Sequence, residues 1–362
     1  MGRDCWHDAV TAPRLTLPEK AERLVVRGLA TVPPRVLEKV VVRRAVNRDG
    51  ERLAPEIALA LGALNRLPGS DFSTQPLDRA RHQIEAEAAV FGASYPPFHL
   101  EEDLELPGPA GPVPATRYRF RAGKPAGLVV YFHGGGWVLG SRHSTVSPVR
   151  FLAQHTGCDV LSVDYRLAPE HPFPAALEDA RAAWDFAVAQ APGWGIDPAR
   201  IAVAGDSAGG NISAVLSLDL RTEDVQPCFQ LLFFPVTDLS RKSASYAEFR
   251  DGFFLTEAQM DWYAERYLPS PTAATDPRVS PLLAPDLAGA PPAYVAVAGF
   301  DPLRDEGIAY AERLREAGVP VELAREGDLI HAFINITAVS RSAYDATRRA
   351  AVALRRGIVG PE

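Results

Sequence analysis

The sequence predicts an α/β protein built on a mostly parallel, doubly wound sheet, and three observations carry the prediction. Short apolar runs rich in β-branched residues recur from about residue 113 onward. Helical segments separate them, and one run leads through a glycine-flanked serine directly into a helix of small residues. Strands covered on both faces need continuous apolar runs rather than strict alternation, and strand–helix alternation implies parallel pairing through right-handed crossovers.

The chain has 362 residues, more than twice the usual domain size of about 150, so one large α/β domain leaves room for an accessory segment. Residues 18–92 are rich in Ala, Leu, Val, Arg and Glu, and Leu24, Leu29, Val36, Leu37, Val40 and Val41 recur mainly at spacings of three, four and seven. Pro33-Pro34 and Leu67-Pro68-Gly69 divide this region into several helices. No strand pattern is visible before about residue 100, and the Pro/Gly/Ala stretch 107–115 is expected to be a connector.

Strands are then expected at Thr116–Arg121, Gly127–His133, Cys158–Tyr165, Arg200–Gly205, Phe229–Phe234, Ala293–Gly299 and about 319–325. Pro174 opens a helix with Leu177, Ala180, Trp184 and Val188 on one stripe, and Pro192-Gly193 ends it. Further helices are expected after Ser207 and from about Leu303 to Ala317. Nearly sixty residues separate Phe234 from Ala293, too long for a simple crossover. They form an insertion with a helix at 256–267, expected to pack with the N-terminal helices. Its aromatic residues Phe253, Phe254, Trp262 and Tyr263 either form the core of that layer or line an acyl site.

Composition excludes several classes of partner. The net charge is −7 and no long basic tract is present, so nucleic acid is not an expected partner. Arg348, Arg349, Arg355 and Arg356 read as the solvated face of a terminal helix. No apolar run approaches the roughly 18 residues a membrane span requires. The first ten residues, MGRDCWHDAV, carry three charges and no apolar core, so no signal peptide is expected. The three cysteines, Cys5, Cys158 and Cys228, are odd in number and widely spaced, which argues against a disulfide framework or a zinc site. A cytoplasmic protein without metal is the expectation.

The chemistry concentrates on Gly205-Asp206-Ser207-Ala208-Gly209. The pentapeptide follows an apolar strand and precedes a helix, the strand–turn–helix setting of a nucleophile elbow. Its glycines permit a sharp turn that exposes the Ser207 hydroxyl at the carboxyl end of the sheet. A serine nucleophile needs a base, and in this arrangement the order is serine, acid, histidine. Seven of the eight histidines precede Ser207; only His331 follows it. The acid must lie between them. Asp301, at the end of the strand-like run Ala293–Gly299, is the first candidate, and Asp305, one helical turn later, is the competitor. Asp305 fits better as an acid in the first turn of a helix.

His133-Gly134-Gly135-Gly136-Trp137 follows the strand Leu128–Phe132, and three consecutive glycines let bare N–H groups approach a substrate. The N–H groups of Gly135, Gly136 and Ala208 are the expected oxyanion donors. His133 is expected to anchor this loop by hydrogen bonds rather than take part in the chemistry. All four pieces fall just past carboxyl ends of expected strands, where sites form in open α/β sheets.

With these residues in hand the chain resembles the hormone-sensitive-lipase-like family, the bacterial family IV esterases of the α/β-hydrolase fold. The matching segments are HGGGW (133–137), DYRLAPEHPFPAALED (164–179), GDSAGG (205–210), DPLRDEG (301–307) and the IHAF around His331, and the resemblance covers roughly residues 100–340. It implies an eight-stranded sheet in a catalytic domain at 100–362. It also implies an α-helical cap made from residues 1–99 and a second piece inserted at about 241–275. The implied activity is a serine carboxylesterase acting on small-molecule esters of short or medium acyl chains, without cofactor or membrane anchor, and a homodimer is compatible with it. Two departures stand out: Ala332 follows the histidine where glycine is common, and the N-terminal segment is long. Asp206 marks a subgroup of the family, and Glu170 and Asp179 are expected to fix backbone turns. The same residues also permit hydrolysis of amides, lactams or carbamates. A non-catalytic receptor on this fold would be marked by loss of the histidine, which is retained here.

Overall fold

The computed structural model describes residues 71–360 throughout, residues 34–41 and 44–65, and a scatter of residues between 16 and 32. The breaks expected at Pro33 and at Leu67–Gly69, together with Leu29, Cys5 and the first ten residues, lie outside the described residues. Before the sheet come α1 (Pro34–Val40), α2 (Pro55–Leu64) and α3 (Leu77–Phe91). Then follow β1 (Leu100–Gly108), β2 (Gly111–Arg119), β3 (Leu128–Phe132), α4 (Val146–Thr156), β4 (Asp159–Val163), α5 (Ala175–Gln190), β5 (Ile201–Asp206), α6 (Ala208–Asp219) and β6 (Gln230–Phe233). The insertion carries α7 (Ala244–Glu248) and α8 (Glu257–Tyr267), and the chain closes with β7 (Ala293–Phe300), α9 (Arg304–Glu316), β8 (Val321–Ile330) and α10 (Arg341–Val359).

The eight strands lie in the order β1-β2-β4-β3-β5-β6-β7-β8. β1 and β2 are antiparallel, β2 pairs antiparallel with β4, and all remaining pairs are parallel. One expectation is corrected here. The stretch 107–115 is no connector: it holds the tip of the β1–β2 hairpin, with Pro107 opposite Pro112 and Glu105 opposite Pro114. Proline cannot donate to a ladder but is tolerated at sheet edges, and β1 is the edge strand.

Both faces of the sheet are covered, as the apolar runs require. In β3, Leu128, Val130 and Phe132 join a core shared with α5 residues Ala180 and Trp184. Val129 and Tyr131 point the other way, into a core shared with α10 residues Ala350 and Leu354. The period of two along a strand produces this split. Burying each such Val or Leu side chain contributes about 1.5–3 kcal/mol. Arg348, Arg349 and Arg356 lie exposed on α10, as expected of a solvated face, while Arg355 is half-buried. Arg349 and Arg356 pair with Glu326 and Glu322, and Arg355 donates to the Thr156 carbonyl at 2.7 Å.

Because β3 pairs with β4 on one side and β5 on the other, the strand order reverses at β3. The crevice past the carboxyl ends of β3 and β5 is therefore the switch point at which open α/β sheets bind ligands. The N-terminal segment and the insertion pack together. The Phe72 ring lies 5.7 Å from Trp262 and 5.5 Å from Tyr263, and Gln259 Nε2 donates to Asp71 at 3.1 Å. α8 opens with a capping box: Thr256 Oγ1 accepts from the Gln259 N–H and Gln259 Oε1 accepts from the Thr256 N–H.

Candidate active site

Ser207 stands between β5 and α6 with φ +54° and ψ −117°. A non-glycine residue in this region is uncommon and stores about 1–3 kcal/mol of strain. The surrounding packing leaves room for it only because the residues two before and two after it are glycines. A Cβ on Gly209 would overlap the Phe132 carbonyl, and one on Gly205 would overlap the Gly209 backbone. The strain aims the hydroxyl out of the sheet at the positive end of α6.

His331 follows directly on β8, which runs to Ile330 and so is longer than the expected strand at 319–325. Its Nε2 lies 3.1 Å from Ser207 Oγ, and its Nδ1 lies 2.8 Å from Asp301 Oδ2. Asp301 is fully buried past the end of β7, and its Oδ1 accepts the Leu303 N–H at 2.9 Å. The Phe234 ring, 4.7 Å from the imidazole, covers one side of the histidine. The structure thus brings Ser207, His331 and Asp301 into one hydrogen-bonded line. Asp305 stays out of it: it sits in the first turn of α9 and pairs with Arg48 and Arg304.

The glycine loop past β3 bends sharply, with φ +110° at Gly135, +60° at Gly136 and +60° at Trp137. The Gly135 carbonyl accepts the N–H of Val138 at 3.1 Å and of Leu139 at 2.8 Å. His133 anchors the loop. Its Nδ1 lies 2.7 Å from the Gly134 carbonyl, its ring stacks on Tyr165 at 4.3 Å, and its own carbonyl accepts the Tyr165 hydroxyl at 2.7 Å. Burial lowers the His133 imidazole to a pKa of about 4, so the ring is neutral near pH 7 and Nδ1–H donates to the carbonyl.

Sequence reasoning left the role of Asp206 open and missed its partner. Asp206 Oδ1 accepts the Tyr131 hydroxyl at 2.6 Å and the Gly134 N–H at 3.1 Å. Burial pushes its carboxyl up, and these donors oppose the shift. The residue before the serine therefore ties the elbow to the glycine loop across the switch point. Nothing in the local sequence marks Tyr131, because the contact joins positions 75 apart.

The insertion reaches the same loop. A Cβ on Gly136 would overlap the Tyr263 ring, and Trp137 stacks on Tyr267 at 4.1 Å. Phe253 stacks on Phe300 at 5.4 Å. Trp262, Tyr263 and Phe253 therefore serve as packing where α8 and its approach meet the catalytic layer. Asp179 fixes backbone as expected, whereas Glu170 ties its segment to a distant helix instead of a turn. Asp179 accepts the backbone and side chain of Arg166, and Glu170 pairs with Arg81 of α3 at 2.7 Å. Arg81 also donates to the carbonyls of Val138 and Ala168.

An α/β-hydrolase-fold family model matches residues 129–335. A carboxylic ester hydrolase of Mycobacterium tuberculosis, LipN, is 40% identical over 338 residues, covering 91% of this chain and 90% of that protein. An ethyl acetate hydrolase of Pseudomonas putida is 37% identical, over 74% of this chain and 86% of its own. Among solved structures, an ester hydrolase from the metagenome of Lake Arreo superposes with a TM-score of 0.78 at 40% identity, covering 84% of this chain and 98% of that one. An esterase of Pyrobaculum calidifontis gives a TM-score of 0.77 at 36% identity, covering 83% and 99%.

Proposed function

This chain belongs to the hormone-sensitive-lipase-like carboxylesterases of the α/β-hydrolase fold, and from that premise we propose that it cleaves esters through Ser207, His331 and Asp301. The enzyme is a carboxylic ester hydrolase. The observation that carries the residue assignment is the unbroken line from Asp301 Oδ2 through the imidazole to Ser207 Oγ, at 2.8 and 3.1 Å.

In this reading Asp301 accepts the Nδ1 proton and so presents a basic Nε2 to the serine. His331 takes the hydroxyl proton as Ser207 Oγ attacks the ester carbonyl. The carbonyl oxygen becomes an oxyanion, held by the N–H groups of Gly135, Gly136 and Ala208 and by the dipole of α6. Collapse expels the alcohol, which leaves with the proton from Nε2. Water then enters, gives its proton to His331 and attacks the acyl-enzyme, and the acid departs as Ser207 is reprotonated.

The N-terminal segment and the insertion act together as a cap over this site. Short to medium acyl chains suit the reading, since Tyr263 and the Trp137–Tyr267 stack crowd the glycine loop. One relative is named for hydrolysing ethyl acetate. A cytoplasmic setting fits the free thiols of Cys158 and Cys228, and no helix among the described residues is long and apolar enough to cross a membrane.

A series of p-nitrophenyl esters from acetyl to palmitoyl, run beside the matched anilides, tests the substrate class. Rates should peak at short or medium chains and be far lower on anilides. A peak at palmitoyl, or anilides cleaved as fast as esters, would overturn it.

A further inference from the structure

The acid and the base of the triad stand on two strand ends, and both ends are irregular. β7 and β8 pair in register up to Ala298 and Glu326; the register then shifts before Phe300 meets Ile330. A Cβ on Gly299 would overlap the Gly327 backbone, and one on Gly327 would overlap the Glu51 carboxylate. Strand, strand and the N-terminal turn at 47–51 therefore touch with no side chain between the two strand backbones.

Asn47 opens that turn and is buried, at 6% exposure. Its amide has two acceptor and two donor positions, and all four are used. Oδ1 accepts the N–H groups of Asp49 at 3.1 Å and Glu51 at 2.9 Å. One N–H goes to Glu51 Oε2 at 2.7 Å, and the other crosses to the Gly299 carbonyl at 3.1 Å. Arg304 Nη1 reaches that same carbonyl at 3.1 Å, and the Arg304 N–H donates to the Asp301 carbonyl. A few residues on, the Ala54 N–H holds the Asp328 carbonyl, three positions before His331, at 2.9 Å.

We propose that Asn47 is a positioning residue for the acid–base pair: the turn Asn47–Glu51 fixes the bulge at Gly299 and thereby the aim of the Asp301 carboxylate at His331. The inference rests on the roles given above to Asp301 and His331. Other carboxyl groups that face the pair are Asp206, on the histidine side, and Glu306, on the acid side. Neither contacts Asn47, so both stay in place when it is changed.

Asn47→Asp is the informative variant. Aspartate keeps the oxygen that closes the turn and replaces the nitrogen that donates to Gly299 and Glu51 with a second oxygen. Active sites are counted with a fluorophosphonate, so that rates refer to competent enzyme. The rate per active site should fall about ten-fold, the scale of loss that a slight misplacement causes. The loss should fall on kcat with KM unchanged, because Asn47 touches the frame of the acid–base pair and not the substrate. A merely structural role would lower the melting temperature and the active fraction but leave kcat per active site in place. A folded Asn47→Asp enzyme with unchanged kcat per site overturns the proposal. If this variant does not fold, Glu51→Ala, which removes the carboxylate that orients the Asn47 amide, decides by the same readout. Asp301→Asn serves as the parallel control. If it too leaves kcat per site unchanged, the triad assignment itself has failed; if it lowers kcat while the Asn47 and Glu51 variants do not, only the positioning role has failed.

Discussion

Gly136→Ala probes the proposed oxyanion loop and the proposed cap at once. Gly136 has φ +60°, where an L-residue pays about 1–2 kcal/mol, and the new methyl would overlap the Tyr263 ring. That ring cannot yield easily. It is buried, it packs against Phe72 at 5.5 Å, and it is flanked by Trp262 at 5.3 Å. The loop must move instead, and an oxyanion donor works only about 2.7–3.1 Å from the developing charge. Loss of one donor costs about 2.7–4 kcal/mol of transition-state stabilisation, roughly 10²–10³ in kcat. The fold should survive, since overpacking of this kind costs about 1–3 kcal/mol. Steady-state ester hydrolysis, normalised by fluorophosphonate titration, should show kcat down about a hundred-fold. The double variant Gly136→Ala with Tyr263→Ala should recover at least a tenth of the wild-type rate, because the overlapping ring is gone. Wild-type kcat in the single variant would refute the donor role of this loop. A double variant no faster than the single one would refute the part assigned to Tyr263.

Two buried groups predict opposite slopes of stability with pH. Burial raises the Glu85 carboxyl to about 7, where Ser141 Oγ is its hydrogen-bond partner at 2.5 Å. The folded state then holds a proton that the unfolded state releases above about pH 4.5, so this contribution is full below that pH and lost as pH rises through 7. Discounted for partial exposure, the loss is roughly 2 kcal/mol. Urea unfolding should show Glu85→Gln gaining that much on the wild type between about pH 4.5 and 8, and parallel curves would contradict it. His133, lowered to about 4, has the reverse sign: the unfolded state takes up a proton below about pH 6.5, and stability falls as pH drops toward 4. That loss, about 3 kcal/mol, should be absent from His133→Asn, and an unchanged acid-side slope would refute it. Asp301→Asn should lower kcat by several orders of magnitude, since the amide selects the wrong imidazole tautomer; retention of a tenth of the activity would refute the acid's role.

Much of the fold was legible because it rests on local patterns. The parallel strands announce themselves as apolar runs, and Trp184 and Ala180 mark the buried stripe of α5. The hairpin tip was not legible, because Pro107, Pro112 and Pro114 read as breakers; Pro107 is compatible because it lies on the edge strand, and Pro112 and Pro114 because they precede the stretch Ala115–Tyr118 over which β2 pairs with β4. The end of β8 was hidden for a related reason: Gly327 and Asp328 look like a loop but lie in an irregular strand that delivers His331. The candidate site was legible where motif and order suffice, in placing Ser207 and His331 together, and the structure places Asp301, preferred over Asp305 from sequence, on His331. Asp206 with Tyr131, Tyr263 over Gly136, and Asn47 on Gly299 are contacts between residues far apart in the chain, and no local pattern encodes them.

The central claim is that one serine forms the acyl-enzyme. Labelling with a fluorophosphonate, located by peptide mass spectrometry and repeated on Ser207→Ala, tests it most directly. The label should sit on Ser207 in the wild type and vanish in the folded variant, whose ester hydrolysis should fall at least about a thousand-fold. A label on another residue, or a folded Ser207→Ala enzyme that hydrolyses esters at the wild-type rate, would contradict the account.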